Sequence, residues 1–306
     1  MDEHELAWAA GFFDGDGWAA LVRSGKRRCR RPMAQINQAD ANGVPEVLTR
    51  FRKAVGVGRV AGPKIEDGRQ DLYWWVASSY GDVRRTGQLI GPWLSSEKCE
   101  QFEAAVGLTF ARPPLASRAW AGGLFDAEGS VSLGRHRTHA GYRVLDASVT
   151  QVGMAGSPEE LVRFQALMML GKVYGPYEQE GATGPVYRWR LSRPDQVRAV
   201  LHVIGPWIGS VKRAQARDTL MVLDAQPVLS RGRPEWGSHK SQCIHGHEYS
   251  TARVRPYVSR GGVQRRDSKQ CLVCTREQAS AKRLAKKKIG DLPAADLDPN
   301  EDAATC

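Results

Sequence analysis

Two segments of the sequence place a pair of acidic positions beside glycine in the same pattern. The first ends in Asp14-Gly15-Asp16-Gly17, and the second ends in Asp126-Ala127-Glu128-Gly129. Two carboxylates brought side by side repel each other, and a divalent cation bound to both removes that repulsion. A ligand set made of oxygen atoms suits a hard ion such as Mg²⁺. If the two segments meet in the fold, we expect Asp16 and Glu128 to bind Mg²⁺.

The residues that precede these acids are small and have helical spacing. Ala9-Ala10-Gly11 corresponds to Ala121-Gly122-Gly123. Glycine inside a helix costs about 1 kcal/mol relative to alanine, so a close packing partner is expected. Two helices with such faces can pack backbone against backbone, and a pseudo-twofold crossing would bring Asp16 and Glu128 to the same end.

Two other interpretations of the acidic segments fit the sequence less well. An acid followed by glycine also ends an ordinary helix, but this explanation does not account for two aligned copies. A calcium loop requires a bidentate glutamate at its twelfth position, where this chain has Gly25.

The sequence around the acids is repeated as well, which indicates a duplication. Ile90–Gln101 matches Ile204–Gln215 and aligns Lys98 with Lys212, while Gln35–Gln38 matches Ser148–Gln151. Hydrophobic periodicity predicts the order αββαββα in each copy, with one long helix at the end. The fold class is therefore predicted to be α+β, with halves over residues 1–112 and 113–228.

On these motifs the chain resembles the LAGLIDADG homing endonucleases in their monomeric, two-motif form. The matching segments are AAGFFDGDG and AGGLFDAEG, with alanine in place of the leading leucine in both and Glu128 in place of the second aspartate. The resemblance covers residues 5–225. It implies two saddle-shaped antiparallel sheets on the major groove of a long asymmetric DNA site, cut on both strands across the minor groove.

The resemblance also implies roles for individual residues. Asp16 and Glu128, with the backbone carbonyls of Gly15 and Ala127, would bind Mg²⁺, while Gln38, Gln151, Lys98 and Lys212 would surround the attacking water and the phosphate. Arginine pairs well with guanine, and glutamine or asparagine with adenine. The expected base-reading side chains are Arg23, Gln35, Asn37, Arg135, Arg143, Arg188 and Arg190. Trp74 and Trp75 are expected to pack within the sheet.

The formal net charge of +11 favours a polyanionic partner. No apolar run approaches the roughly 20 residues that a membrane span requires, and the acidic N-terminus is unlike a secretory signal. We therefore expect a protein of the cytoplasm (bacterial or phage-encoded) or of another intracellular compartment, and not a secreted one. Because Met1 lies just before the first motif, we expect a free-standing monomer without an intein.

A second, smaller module follows a polar linker at residues 229–242. Cys243, His247, Cys271 and Cys274 have the spacing C-x3-H and C-x2-C, which predicts a structural Zn²⁺ site within residues 243–290. His245 is an alternative ligand, and a redox pair is disfavoured because no thioredoxin-like pattern surrounds the cysteines. The segment resembles small basic modules of phage-type nucleases, which implies a second DNA contact. Residues 291–306 are predicted to be an acidic disordered tail.

These features predict a site-specific, Mg²⁺-dependent endonuclease that acts on double-stranded DNA, as intron-encoded homing enzymes do. One alternative is a maturase that binds intron RNA with the same scaffold. Another is a DNA-binding regulator whose nuclease activity has decayed. The presence of both Asp16 and Glu128 favours an active nuclease over a decayed one.

Overall fold

A computed structural model describes residues 2–23, 30–65, 68, 70–135, 143–154, 156–226, 245, 247–248, 254–258 and 264–280. The chain divides into two compact units, Met1–Gln226 and Pro227–Cys306. Among the helices in the described ranges, none combines the length and the apolar character that a membrane crossing requires.

The first half of the larger unit begins with a helix and builds one antiparallel sheet. Its strands have the order β1-β2-β4-β3. The elements in chain order are α1 (Glu3–Asp16), β1 (Gly17–Arg23), β2 (Arg30–Ala39), α2 (Glu46–Val55), β3 (Arg59–Lys64), β4 (Leu72–Ala77), α3 (Tyr80–Ile90), a 3₁₀ turn (Gly91–Trp93) and α4 (Ser96–Val106).

The second half repeats this arrangement, with a second antiparallel sheet in the order β5-β6-β8-β7. The predicted α+β class and the duplicated architecture are therefore confirmed. The elements are α5 (Arg118–Glu128), β5 (Gly129–Arg135), β6 (Arg143–Val152), α6 (Glu159–Met168), β7 (Lys172–Tyr177), β8 (Val186–Leu191), α7 (Pro194–Ile204) and α8 (Ser210–Asp224).

The last helical stretch of each half differs from the sequence-based expectation. One continuous helix was predicted, whereas α3 and α4, and likewise α7 and α8, are separate helices. Proline has no backbone N–H and clashes with the preceding turn, so Pro92 and Pro206 interrupt both stretches. A new helix N-terminus therefore begins near Ser95 in one half and near Gly209 in the other.

Each sheet packs one face against helices, and the same aromatic pair marks the centre of both cores. Trp75 is fully buried with its ring 4.7 Å from that of Phe51, and Trp189 is fully buried with its ring 4.9 Å from that of Phe164. Because side chains alternate along a strand, the neighbouring positions point away from the helices. These positions form the outer face of each sheet.

The two halves meet where α1 packs against α5, the most extensive contact between elements of the chain. A Cβ atom on Gly11 would lie 1.9 Å from the carbonyl oxygen of Trp120, and one on Gly123 would lie 1.9 Å from that of Trp8. Only glycine permits this approach. The small-residue faces therefore set the distance between the two helices, as their composition predicted.

The smaller unit contains an antiparallel hairpin. Its strands are β9 (Val254–Val258) and β10 (Gln264–Cys271), and residues 272–280 are helical. The predicted linker at 229–242, the residue Cys243 and the predicted tail at 291–306 lie outside the described residues.

Candidate active site

The ends of α1 and α5 adjoin, and this contact brings Asp16 next to Glu128. A Cβ atom on Gly15 would lie 2.3 Å from the Cβ of Ala127 and 3.2 Å from the Cγ of Glu128. Both helices end at their acid because the following glycine, Gly17 or Gly129, has extended backbone angles and begins a strand. The pseudo-twofold packing thus gives one site with a carboxylate from each half.

Burial and mutual repulsion disfavour the charged forms of both acids. Burial raises the pKa of Asp16 to about 6, against the opposing effects of Lys212, Lys98 and Gln38. Burial and then the charge of Asp16 raise the pKa of Glu128 to about 8, again opposed by the two lysines. Two carboxylates at helix C-termini are also unfavourable for the helix dipoles. A bound cation would relieve each of these penalties.

The carbonyl groups of Gly15 and Ala127 lie in the last turns of their helices. Carbonyls in a final turn have no following helical N–H to accept from, so they are available to other partners. The adjoining helix ends therefore offer two carboxylates and two backbone carbonyls as possible metal ligands, and every ligand atom among them is oxygen.

Two lysines reach the site from α4 and α8 in equivalent ways. Nζ of Lys98 donates to the carbonyl oxygen of Gly17 at 2.8 Å, and Nζ of Lys212 donates to that of Gly129 at 2.5 Å. Burial lowers the pKa of Lys212, against the attraction of Asp126, Asp16 and Glu128. Each lysine is thus held one residue beyond the acid of its own half.

Two glutamines occupy equivalent positions near the strand ends, but their contacts differ. Nε2 of Gln38 donates a hydrogen bond to the carboxylate of Asp16. Nε2 of Gln151 is buried and has no hydrogen-bond partner in the described part of the chain. The two halves therefore place a glutamine at the same position but differ in the hydrogen bonds that it makes.

The first acid of each motif has a structural position that the sequence did not reveal. Asp14 accepts hydrogen bonds from the backbone N–H of Ser95, at 3.0 and 3.2 Å, and from the indole N–H of Trp120, at 2.7 Å. Ser95 precedes α4 in the same half, whereas Trp120 belongs to α5 of the other half. A buried carboxylate thus stabilises a helix N-terminus and joins the two halves.

Asp126 makes the corresponding contacts in the second half. It accepts from the backbone N–H of Gly209, at 2.9 and 2.8 Å, and from the indole N–H of Trp8, at 2.9 Å. The alignment of Asp14 with Asp126 was visible in the sequence, but their partners lie far away along the chain, so their function was missed.

Two arginines complete this cross-connection. The guanidinium of Arg50 lies 3.9 Å from the ring centre of Trp8 and donates to the carbonyl oxygen of Trp207 at 2.6 Å. The guanidinium of Arg163 lies 4.0 Å from the ring centre of Trp120 and donates to the carbonyl oxygen of Trp93 at 2.9 Å. Cation–π contacts and hydrogen bonds therefore fix both ends of the interface between the halves.

The predicted base-reading residues fall into two groups. The strand registers put four of them on the outer faces of the sheets, away from the helices: Gln35, Asn37, Arg188 and Arg190. The others are exposed, but they lie at the far ends of the strands on the helix-facing side of the register: Arg23, Arg135 and Arg143. Trp75 is buried as expected, whereas Trp74 lies opposite Asn37 on an outer face.

In the smaller unit, three of the predicted zinc ligands cluster. The ligand atoms of His247, Cys271 and Cys274 all lie within 4.8 Å of one another. Nδ1 of His247 is 3.2 Å from Sγ of Cys274 and 3.8 Å from Sγ of Cys271, and its Nε2 is 3.7 Å from Oε1 of Glu277. His247, rather than His245, is the histidine of this group.

No protein-family model and no curated protein matches the sequence. Solved structures do match. The LAGLIDADG meganuclease I-AabMI bound to uncleaved DNA has a TM-score of 0.54 and 16% identity, over 72% of this chain and 90% of that chain. The LAGLIDADG homing endonuclease I-GzeII in complex with its DNA target has a TM-score of 0.48 and 14% identity, over 72% and 89%.

The LAGLIDADG homing endonuclease I-SmaMI bound to cleaved DNA has a TM-score of 0.47 and 12% identity, over 71% of this chain and 88% of that chain. The likeness to I-AabMI confirms the fold that the sequence motifs implied.

Proposed function

We propose that this chain, which has the fold of the LAGLIDADG homing endonucleases, is a site-specific, Mg²⁺-dependent double-strand DNA endonuclease. The observation that best supports this proposal is the pairing of Asp16 with Glu128 where α1 meets α5. Burying two carboxylates together costs free energy unless a cation or a proton compensates. Such a pair is typical of a functional site.

The residues around the acids fit Mg²⁺. Asp16 and Glu128 would hold it, with the carbonyl oxygens of Gly15 and Ala127 as further ligands, and hard cations prefer oxygen atoms of this kind. When bound, Mg²⁺ stabilises negative charge on phosphate oxygens and lowers the pKa of a water molecule.

The neighbouring side chains have separate tasks in this proposal. Lys98 and Lys212, already held beside the acids, would attract the scissile phosphates and offset the charge that develops during hydrolysis. Gln38 would fix the orientation of the Asp16 carboxylate through its hydrogen bond, and Gln151 would orient a water or a phosphate oxygen with its buried amide. One chain supplies both acids, so a monomer would cut both strands.

Double-stranded DNA is the proposed partner because the outer faces of both sheets carry side chains that suit base edges. Gln35 and Asn37 lie on the first sheet, and Arg188 and Arg190 lie on the second. The net charge of +11 favours association with phosphates. Arg23, Arg135 and Arg143, at the exposed strand ends, would contact the DNA backbone rather than the bases.

The cysteine and histidine cluster of the smaller unit is proposed to bind one structural Zn²⁺. The ligand atoms of a tetrahedral zinc site lie about 3.5 to 3.8 Å apart, close to the separations of His247 from both cysteines. Cys243 would be the fourth ligand. Zinc content of the purified protein tests this proposal, because C271S/C274S should lose the metal.

The endonuclease proposal is tested by incubating the full chain with a randomised DNA library and sequencing the cut ends. We expect cuts on both strands at one long site with Mg²⁺ and none with EDTA. Cutting in EDTA would contradict the proposed chemistry. Binding of a consensus DNA without any cutting would favour the decayed regulator, and selective retention of structured RNA without DNA cutting would favour the maturase.

A further inference from the structure

The two sheets have nearly identical inner faces and different outer faces. Matched positions facing the helices carry the same kind of residue, as Trp75 and Trp189 do. The matched outer positions differ in chemistry at two of the three outer rows that the registers define across β2 and β4, or β6 and β8. The pairs are Gln35 with Ser148, Asn37 with Thr150, Trp74 with Arg188, and Val76 with Arg190. The third row is apolar in both sheets, with Ala39 and Leu72 in the first and Val152 and Val186 in the second.

On the outer face of the first sheet, the rows that join β2 to β4 combine amide groups with apolar groups, while the exposed Arg31 and Arg59 lie beside these rows on β2 and β3. Nε2 of Gln35 donates to Oδ1 of Asn37 at 2.7 Å, which orients the two amides together. Trp74 lies opposite Asn37, and Ala20 lies opposite Met33. Amide side chains make bidentate hydrogen bonds to adenine, and apolar groups contact the methyl group of thymine. The rows that join β2 to β4 therefore suit A·T base pairs.

The outer face of the second sheet carries a pair of oriented arginines. Nε of Arg188 donates to Oγ1 of Thr150 at 3.2 Å, and Nε of Arg190 donates to the carboxylate of Asp146. The Arg190 side chain is 51% exposed, whereas that of Asp146 is 19% exposed. Asp146 therefore fixes the Nε atom of the Arg190 guanidinium. The two terminal nitrogens of that group have no hydrogen-bond partner within the described residues.

The presence of Asp146 indicates that Arg190 contacts a base rather than a phosphate group. A carboxylate beside Arg190 repels a phosphate group, so it weakens a purely electrostatic contact with the DNA backbone. The edge of guanine carries no net charge and offers two acceptors that match the planar guanidinium. A carboxylate can also accept a hydrogen bond from the amino group of the paired cytosine.

We propose that the DNA site of this protein is unequal in composition, with A·T pairs favoured opposite the rows that join β2 to β4 and G·C pairs opposite the matched rows that join β6 to β8, where Arg190 reads a guanine and Asp146 positions it. This inference rests on the proposed endonuclease function, because it names the class of DNA sequence which that site would take.

The test compares the cleaved-site consensus of the full chain with that of single variants, using the randomised duplex library and Mg²⁺. The wild-type consensus should be rich in A·T on one side of the cut and should specify G·C on the other. R190A should reduce the preference for guanine at one position of the G·C side by roughly tenfold or more, the loss expected for one bidentate contact.

Three further variants distinguish recognition of a base from electrostatic attraction to the DNA backbone. R190K keeps the positive charge but lacks the planar fork, so it should lose the same preference with little change in salt dependence. D146N should weaken that preference less than R190A does. R193A removes a similarly exposed arginine, paired with Asp195 at 2.8 Å and situated before α7 rather than in a sheet, and should leave the consensus unchanged.

Several results would overturn the inference while leaving the endonuclease proposal intact. One is a consensus whose two half-sites have equal composition. Another is an R190A variant that weakens cleavage of all sequences uniformly, and a third is an R190A variant that loses base preference at a position on the A·T side. A wild-type protein that cuts no library member would instead overturn the endonuclease proposal and this inference together.

Discussion

The two halves of the larger unit are alike where they touch each other and unlike where they face outward. A Cβ atom added to Gly11 or to Gly123 would lie 1.9 Å from a tryptophan carbonyl oxygen of the other half, and Asp14 and Asp126 each accept from an indole of the other half. Close-packed interiors tolerate few changes of volume, whereas exposed positions tolerate many. A duplicated chain can therefore keep one interface and acquire two different sheet surfaces.

The comparison also reveals differences near the shared centre. Gln38 bonds to Asp16, whereas the amide nitrogen of Gln151 has no partner among the described residues. The position one helical turn before Arg50 on α2 is Val47. The matched position before Arg163 on α6 is the buried Glu160. These unmatched pairs allow the pseudo-symmetry to be tested one position at a time.

The largest expected effect on stability comes from the helix crossing. G11A and G123A should each lower the free energy of unfolding by about 3 kcal/mol, because either new methyl group would overlap a backbone carbonyl. Chemical denaturation measures both losses, and the pseudo-symmetry predicts that they are equal within about 0.5 kcal/mol. G134A is the control, since its methyl group would lie 3.8 Å from the nearest atom, the oxygen of Val144. A loss of stability confined to one of the two variants would contradict the equivalence of Gly11 and Gly123 at the helix crossing.

The next effect concerns the two glutamines. Q38A removes an existing hydrogen bond to Asp16 and should slow cleavage of one strand by about 10- to 100-fold, the range for partners that orient a metal ligand. Q151A should slow the other strand by less than this. Each strand of the selected site, labelled separately, gives the two rates. Equal slowing of both strands by Q38A would show that the glutamine serves the site as a whole and not one acid.

The smallest effect concerns Glu160. Burial, and then the charge of Glu160, raise the pKa of Asp14 to about 7. Because this pKa is above the ordinary value of 3.8, the contribution of Asp14 to stability is complete below about pH 4 and is lost as the pH rises through 7. E160Q removes the repulsion, and its stability relative to wild type should improve by about 1 kcal/mol between pH 5 and pH 8.

Unfolding curves at the two pH values measure this difference. E100Q, an exposed change on α4, serves as the control and should show no such dependence on pH. A constant gap between E160Q and wild type at both pH values would mean that Glu160 does not act on Asp14.

The duplicated motifs were sufficient to predict the fold and to predict that Asp16 and Glu128 lie together. Sequence repeats indicate which positions of the two halves are equivalent, and the small residues before each acid indicate a closely packed pair of helices. The same repeats placed Lys98 with Lys212, and the structure brings both lysines to the acids. A motif carried twice is thus informative about contacts between its copies.

Other features depend on contacts that one sequence does not reveal. The partners of Asp14 are Ser95 and Trp120, which are remote in the chain, so its buried position required the fold. Helical periodicity continued across Pro92, which hid the break between α3 and α4. Arg23 has suitable chemistry for DNA, but only the strand register reveals which side of the sheet it occupies.

The most direct test of the account measures cleavage of both strands of the selected site by D16N, E128Q and the double variant, with DNA binding measured in parallel. We expect each single variant to slow cleavage of at least one strand by about 1,000-fold and the double variant to abolish it, while affinity for DNA stays near that of wild type. A double variant that still cuts both strands at the wild-type rate would contradict the assignment of Asp16 and Glu128 as the paired metal ligands.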